Sequence, residues 1–264
     1  MTKNNFKKNA IRKRMALTGE SYLEATRLME AMPPFTLDDL IKQGVLNPEM
    51  AEFLRSKIAE NRPTSFIITG DKGSGKSTLL AALAAEIPQE RKVSAISEKP
   101  DSFATIYDRS RTAICCVPNG DSEFQPFTSV RHAMYRVIGG HRPDHLIVDE
   151  IRRSDELTEF LWIAGNGHSA STTIKAHDAH DVLNQYLNTM TDQYFSVQQA
   201  HKAIATAVDL IIVMEQAADG SRRCSGIYEM PDPQKQDPDW NLFHPAGANM
   251  QTKITWKRVI KNEP

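Results

Sequence analysis

From residue 65 onward, the chain alternates between short apolar runs and longer stretches whose apolar residues recur at helical spacing. The short runs are rich in β-branched residues, as in Phe66–Thr69, which is typical of buried strands. Strands that alternate with helices favour a mostly parallel sheet covered by helices, so we predict an α/β fold. The predicted strands are Phe66–Thr69, Val93–Ser97, Thr112–Val117, His145–Asp149, Ser171–Ala176, Asp209–Met214, Arg222–Met230 and Lys253–Val259. The predicted helices of this part are Lys76–Glu86, Ser129–Ile138, Asp155–Ala164, Ala179–Met190 and Val197–Thr206.

The part of the chain before residue 65 has helical patterns only. Residues 1–34 predict a short basic helical appendage, which ends at Pro33-Pro34 because proline cannot continue a helix. The main domain is predicted over residues 35–264. Its first helices are Leu37–Gln43, capped by Thr36, and a helix that begins at Pro48, since proline favours the first helical position.

The composition is that of a soluble globular protein with a core. Of the 264 residues, 40% are hydrophobic and 25% are charged, and the net charge of −1 favours neither nucleic acid nor a membrane as a partner. The three cysteines have no metal-binding spacing, which is typical of reduced cytosolic thiols. No apolar run reaches the roughly 18–20 residues that span a bilayer. We therefore expect a cytoplasmic protein without a signal peptide.

The charge is uneven at the N-terminus, where residues 1–14 carry six basic and no acidic side chains. Two interpretations stay open for this segment. It is either a solvated tail or a contact to an acidic partner, to anionic lipid at the inner membrane face, or to DNA phosphates. Since Phe6 is the one aromatic residue there, direct nucleic-acid binding by base stacking is not favoured.

A phosphate-binding motif follows the first predicted strand. Residues 70–77 read Gly-Asp-Lys-Gly-Ser-Gly-Lys-Ser, which is the P-loop pattern between a strand and a helix. Its glycines allow backbone N–H groups to converge on phosphate oxygens, and the helix N-terminus adds a positive dipole end. We predict that Lys76 binds the β- and γ-phosphates of ATP and that Ser77 binds Mg²⁺. The remaining candidates for nucleotide binding are Gly70, Gly73, Ser74, Gly75 and Thr78.

An acidic pair ends a second buried strand, as a hydrolytic P-loop site requires. Asp149 and Glu150 follow the run Leu146-Ile147-Val148, so they lie at the carboxyl edge where α/β sheets bind ligands. We predict that Asp149 binds Mg²⁺ directly or through water, and that Glu150 is the general base that activates water. Polar residues on the next strand, preceded by Gly167 and His168, are placed to sense the γ-phosphate.

These motifs, in this order along the chain, resemble the conserved sequence boxes of the secretion ATPases of type II secretion, type IV pili and type IV conjugative secretion. The resemblance rests on 35–40, 46–49, the P-loop, 149–152, 167–178, 207–213 and 219–223. It implies a RecA-like P-loop core and a ring-forming, hexameric motor that hydrolyses ATP with Mg²⁺ beside inner-membrane secretion or pilus components. It also implies His168 as γ-phosphate sensor. The lead-in helices favour a conjugative protein over a pilus-retraction motor.

The chain departs from this family at several positions. Ser97 replaces the first acid of the family's aspartate box, which leaves Glu98 as a further metal-ligand candidate. Asp149 stands where the family usually has glycine, and Lys175 stands in place of the second histidine. Arg136 matches one of two family arginines, and we predict that Arg136 or Arg131 acts on a neighbouring subunit's nucleotide. Since few residues precede the domain, the resemblance leads us to expect that the family's usual N-terminal domain is reduced or replaced.

Two alternatives follow from these departures. A nucleotide-binding assembly or regulatory subunit with weak turnover would tolerate the altered boxes, although such a subunit would not be expected to keep both Asp149 and Glu150. A DNA translocase is disfavoured, because no Lys/Arg-rich loop follows Glu150.

Overall fold

The computed structural model describes residues 35–60, 64–97, 112–116, 129–192, 196–230 and 257–261, with isolated residues of the N-terminal part and of 98–111. The predicted appendage over residues 1–34 therefore lies largely outside the described residues. The same holds for Glu98 and for the segment 231–256.

Seven helices and eight strands are described. The helices are α1 (Leu37–Lys42), α2 (Pro48–Ala59), α3 (Lys76–Glu86), α4 (Val130–Gly140), α5 (Ser154–Gly165), α6 (Ala179–Asp192) and α7 (Val197–Ala207). The strands are β1 (Phe66–Thr69), β2 (Val93–Ser97), β3 (Thr112–Cys116), β4 (His145–Ile151), β5 (Ser169–Ile174), β6 (Leu210–Gln216), β7 (Arg222–Glu229) and β8 (Lys257–Lys261).

The strands form one sheet in the order β3-β2-β4-β5-β1-β6-β7-β8. All pairs from β3 to β6 are parallel, and β7 and β8 add antiparallel strands at one side. The predicted mostly parallel α/β sheet is confirmed. In this topology the P-loop, which follows β1, and the acidic pair of β4 share one edge of the sheet.

Alternate residues of the buried strands pack on opposite faces of the sheet. Ile68 and Ile147 belong to an apolar cluster with α1, α2 and α3, whereas Ile67 and Val148 belong to a second cluster with α4 to α7. Helices therefore cover both faces, which explains why all four residues of β1 are buried.

Two strands differ from their predicted bounds in ways that affect the site. β5 begins at Ser169 rather than Ser171, because Ser169 pairs with His145 and its hydroxyl donates to the Asp144 carbonyl oxygen at 3.0 Å. β4 continues past Asp149 to Ile151, through an irregularity in its pairing with β5 between Val148 and Ile151.

Across the part of the chain that the structure describes, no helix has both the length and the apolar character needed to cross a bilayer.

Candidate active site

The P-loop turns from β1 into α3 through glycines in left-handed conformations. Gly73 and Gly75 have φ angles of 89° and 95°, which residues with a side chain rarely adopt. A methyl group on Gly70 would lie 2.1 Å from the backbone oxygen of Met214, so glycine is required there by space as well. Gly75 caps α3 without a side-chain hydrogen bond, which leaves the first N–H groups of the helix open to a ligand.

Lys76 lies in the first turn of α3 and folds back over the loop. Its Nζ donates to the carbonyl oxygens of Gly70 and Asp71 at 2.8 and 2.7 Å. Burial lowers the pKa of the Lys76 ammonium, and the nearby Glu150 carboxylate opposes this shift. An anion in the loop would stabilise the charged form.

Asp149 is the centre of a cluster of hydroxyl groups from three other elements. Ser77 donates to its Oδ1 at 2.8 Å, Thr173 donates to the same oxygen at 3.2 Å, and Ser97 donates to Oδ2 at 3.2 Å. These side chains come from α3, β5 and β2. The carboxyl edge of the sheet thus joins the P-loop serine directly to the acidic strand.

Burial raises the pKa of the Asp149 carboxyl, while the hydrogen bonds from Ser77, Thr173 and Ser97 act in the opposite direction. A buried carboxylate with this balance gains from a cation nearby. Hydroxyl and carboxylate oxygens are ligands that Mg²⁺ prefers.

Glu150 has a backbone conformation that is unusual for a residue with a side chain. Its φ is 65°, and its N–H donates to Thr173 Oγ1 at 2.9 Å. Its carboxylate accepts from Arg152 Nη2 at 2.6 Å, and both side chains are nearly half exposed. The left-handed turn directs Glu150 away from the β4 pleat, whereas Asp149 stays within the sheet edge.

A cavity of about 540 Å³ opens beside Glu150 between the β4–α5 connection and α6. Its polar lining includes Arg152, Arg153, Lys175 and Asn188. Water therefore has access to the carboxylate of Glu150 from this side.

The structure does not bring His168 to this site. His168 precedes β5, and its Nδ1 lies 2.9 Å from the backbone oxygen of Pro143, which precedes β4. Thr173, five residues later, is the residue that reaches the acidic pair, so His168 lies about 16 Å away along the strand. The prediction of His168 as a γ-phosphate sensor does not fit this position, because His168 occupies the opposite edge of the sheet.

The other end of the stretch 167–178, which follows β5, lies beside the P-loop. Thr69 donates its hydroxyl to the Ala176 carbonyl oxygen at 2.9 Å, and His177 Nδ1 lies 3.3 Å from Asp71 Oδ2. His177 and Lys175, both exposed, are therefore the residues of this stretch that flank the loop after β5.

Arg136 is exposed on α4 and the described contacts do not join it to the P-loop of its own chain. Arg131, five residues earlier on the same helix, lies 3.7 Å from Glu159 of α5. The predicted metal-ligand candidate Glu98 lies outside the described residues.

The residues that are present fit a bound nucleotide and a divalent cation. Ser74 is fully buried in the loop and, among the described residues, its Oγ has no hydrogen-bond partner. Gly73 and Gly75 carry no side chains, so their backbone N–H groups are open to a phosphate. Since Lys76 gains from an anion and Asp149 gains from a cation, a nucleotide phosphate with Mg²⁺ satisfies both.

Three further residues near the site, two beside the acidic pair and one beside the P-loop, have no role predicted from the sequence. Ser97 ends β2. Its signal in the sequence is a polar residue at the end of an apolar run, which indicates the carboxyl edge of the sheet. The sequence indicates Arg152 only as part of the stretch 149–152, and its pairing with Glu150 depends on the left-handed turn at Glu150. Arg222, which approaches Gly75, has no sequence signal for this contact.

Comparisons with known proteins find relatives in sequence and in fold. The chain is 29% identical over 207 residues to the conjugal transfer protein TrbB of Rhizobium radiobacter, covering 78% of this chain and 59% of TrbB. Its fold is similar to that of the VirB11 ATPase from the Brucella suis type IV secretion system in complex with sulphate, with a TM-score of 0.58 and 20% identity over 75% of this chain and 64% of that one. It is also similar to the Legionella pneumophila ATPase DotB, with a TM-score of 0.55 and 19% identity over 69% of this chain and 49% of DotB.

The chain thus spans less than two thirds of the length of each of these proteins. The family model described as type II/IV secretion system protein matches residues 7–260, which include every element of the sheet up to β7 and most of β8. With the P-loop and the acidic strand at one edge of a mostly parallel sheet, the chain belongs to the type II/IV secretion system protein family.

Proposed function

We propose that this protein hydrolyses ATP with Mg²⁺ and uses the energy to drive a type IV secretion or conjugative transfer machine. The contact that favours hydrolysis over phosphate binding alone is the 2.8 Å hydrogen bond from Ser77 to Asp149. It links the P-loop to the strand that carries Glu150, so that phosphate, metal and base share one edge.

Each residue of the site has a separate part in this proposal. The backbone of Gly70–Gly75 and the first turn of α3, with Ser74 and Thr78, bind the phosphates, and Lys76 binds the β- and γ-phosphates. Ser77 and Asp149 hold Mg²⁺, with Glu98 as a further candidate, and the metal neutralises charge on the phosphates. Glu150 accepts a proton from the attacking water, which enters through the cavity beside it.

We further propose that the protein works as a homo-oligomeric ring, with six subunits as the expected number. Arg136 supports this because it is exposed on α4, where it is free of the local P-loop and open to a neighbouring subunit. In this arrangement Arg136 stabilises charge on the neighbour's nucleotide. The ring is proposed to lie in the cytoplasm against inner-membrane components, with the basic segment 1–14 as a peripheral membrane contact.

The similarity to TrbB favours a conjugative role over a pilus role. TrbB is called a conjugal transfer protein, and its match covers more of this chain than the match to VirB11 of Brucella suis does.

ATP turnover of four purified variants tests the proposed site. Lys76→Ala and Glu150→Gln are each expected to lower turnover by about 100-fold or more, since the first removes a phosphate ligand and the second the base. Lys72→Ala is the matched control for Lys76, because Lys72 is an exposed lysine of the same loop. His168→Ala is the control for the opposite edge, and both controls are expected to stay within about twofold of wild type.

The mass of the wild-type protein in solution, with and without ATP and Mg²⁺, tests the ring. A shift to a multiple of the monomer mass in the presence of ATP and Mg²⁺ is expected. A folded monomer that binds ATP but does not hydrolyse it under any condition would contradict the motor and would favour the assembly or regulatory subunit.

A further inference from the structure

The hairpin of β6 and β7 lies against the P-loop on the side away from Asp149. A methyl group on Gly70 would meet the backbone oxygen of Met214, and one on Gly73 would lie 3.2 Å from Gln216 Oε1. A methyl group on Gly75 would lie 3.3 Å from Cδ of Arg222. Each glycine of the motif therefore touches a different residue of this hairpin, which forms a second wall of the loop.

The order of the strands gives this wall a position relative to a bound nucleotide. β1 lies between β5, on the side of the acidic strand, and β6, on the side of the hairpin. Ser77 reaches toward Asp149 on the β4 side, so the metal and the terminal phosphate lie on that side. The α-phosphate must lie further from β4, which is toward the hairpin.

Arg222 is the residue of the hairpin with the chemistry to bind a phosphate. It is exposed, and its Cβ and Cδ both lie within about 4 Å of the methyl position of Gly75, so the stem of the side chain lies along the loop. The next residue, Arg223, is paired with Glu215 at 3.2 Å. Within the residues that the structure describes, no ion pair joins Arg222 to a carboxylate.

This placement adds a further positive group to one end of the loop, where an anion would bind. Gly75 caps α3, whose N-terminus carries the positive end of the helix dipole, and Lys76 follows it directly. A second cation at this point faces the same positive helix end, and because Arg222 is exposed, water screens the repulsion. A phosphate oxygen removes the repulsion and accepts hydrogen bonds from the guanidinium.

We propose that Arg222 binds the α-phosphate of the nucleotide held by the P-loop. The inference rests on the proposed nucleotide site and adds a ligand from the hairpin, opposite the metal. Arg222 is a binding residue here, so its removal weakens nucleotide affinity and leaves the chemical step in place.

Equilibrium binding of ATP, GTP and tripolyphosphate to Arg222→Ala, Arg222→Lys and Arg223→Ala tests this inference. All three ligands place a phosphate at the α position, so Arg222→Ala is expected to weaken each by about tenfold. Arg222→Lys keeps the charge and is expected to retain most of the affinity, and Arg223→Ala is expected to bind as wild type. At saturating ATP, kcat of Arg222→Ala stays within about threefold of wild type while KM rises.

Two results would overturn the inference. One is wild-type affinity of a folded Arg222→Ala protein for all three ligands, with folding checked by thermal unfolding. The other is a loss for ATP and GTP that spares tripolyphosphate, which would place the guanidinium on the ribose or base. ATP binding by Lys76→Ala distinguishes a failure of the Arg222 contact from a failure of the nucleotide site itself. If Lys76→Ala loses ATP and Arg222→Ala does not, only the α-phosphate contact is wrong, whereas a wild-type protein without ATP affinity would refute both.

Discussion

One face of the β4–β5 pair carries polar clusters at both ends, and the two clusters do different things. His145, Ile147 and Asp149 alternate along β4 on this face, and Ser169, Ser171 and Thr173 alternate beside them on β5. Each cluster has one titratable group of β4 surrounded by hydroxyls. One lies at the amino edge of the sheet and the other at the carboxyl edge.

The cluster at the amino edge is closed. Ser169 donates to the Asp144 carbonyl, so its Oγ accepts from His145 Nδ1 at 2.6 Å, and His145 Nε2 accepts from Ser171 at 2.9 Å. His145 is buried, and burial lowers its pKa to about 3, so the ring is neutral. Both ring nitrogens have hydrogen-bond partners while the ring is uncharged, so neither is left to bind a ligand.

The cluster at the carboxyl edge is open. Asp149 keeps a carboxylate with a raised pKa, Lys76 keeps an ammonium with a lowered pKa, and Ser74 keeps a buried hydroxyl without a described partner. Similar residue types therefore support folding at one edge and ligand binding at the other. The difference comes from the loops that follow parallel strands, which bring the P-loop to the carboxyl edge only.

The largest effect is expected from moving the carboxylate of the open cluster. Asp149→Ser removes it and is expected to lower ATP turnover by about 100-fold or more, because the metal loses its charged ligand. Ser97 lies 3.2 Å from Asp149 Oδ2 on the adjacent strand, so Ser97→Asp in the same chain places a carboxylate at almost the same point. The double variant is expected to recover at least about tenfold of the lost turnover, measured at several Mg²⁺ concentrations.

Ser97→Asp alone is the control for this exchange. Two carboxylates would then share the site and repel each other, so the single variant is expected to be less active than wild type. A double variant no more active than Asp149→Ser would show that the strand, and not only the charge, decides the metal position.

A smaller effect is expected from Thr173, whose hydroxyl accepts from the Glu150 N–H and donates to Asp149. Thr173→Val keeps the shape and removes both contacts, so both carboxylates lose a fixed position. We expect kcat to fall by about tenfold or more, with KM for ATP changed much less, as for groups that orient metal ligands. Thr173→Ser is expected to restore most of kcat.

Thr172→Val is the matched control, because Thr172 is an equally buried threonine of the same strand that donates to the Val148 carbonyl at 2.7 Å. It points to the other face, and we expect lower thermal stability with wild-type kcat for the folded protein. Equal losses of kcat in the two variants would mean that Thr173 acts through stability alone.

Much of this comparison could be predicted from the sequence, because local chemistry decides it. The P-loop follows from eight consecutive residues, and the acidic strand follows from an apolar run that ends in two acids. The helix predicted over Val197–Thr206 is present as α7, and a capping box between Ser196 and Gln199 begins it. In each of these places the signal lies within one element.

What sequence reasoning missed depends on register and on contacts between distant segments. The sequence predicts β5 from Ser171 and the structure begins it at Ser169, but under either bound His168 precedes a strand parallel to β4 and therefore lies at the amino edge. The left-handed turn at Glu150 lies at the irregularity in the pairing of β4 with β5, and no residue type in the sequence predicts it. The approach of Arg222 to Gly75 depends on the order of strands in the sheet.

The smallest expected effect concerns the closed cluster and its response to acid. The pKa of His145 is about 3 in the fold, below its ordinary value of 6.5, through burial first and the nearby Arg91 charge second. The unfolded chain therefore binds a proton between these two values that the native protein does not, so stability falls as the pH is lowered through this window. From pH 7.5 to 5.5, this one group is expected to lower the free energy of unfolding by about 1.4 kcal/mol.

His145→Asn removes the titration while it keeps an uncharged polar group beside Ser169 and Ser171. Urea unfolding of both proteins at the two pH values gives the comparison, and the wild type is expected to lose about 1.4 kcal/mol more than the variant. ATP turnover at pH 7.5, corrected for the folded fraction, is expected to be the same in both, because the ring lies at the edge without the P-loop. Equal acid sensitivity would mean that His145 binds a proton within the fold, and the amino-edge cluster would then be open to charge as the carboxyl-edge cluster is.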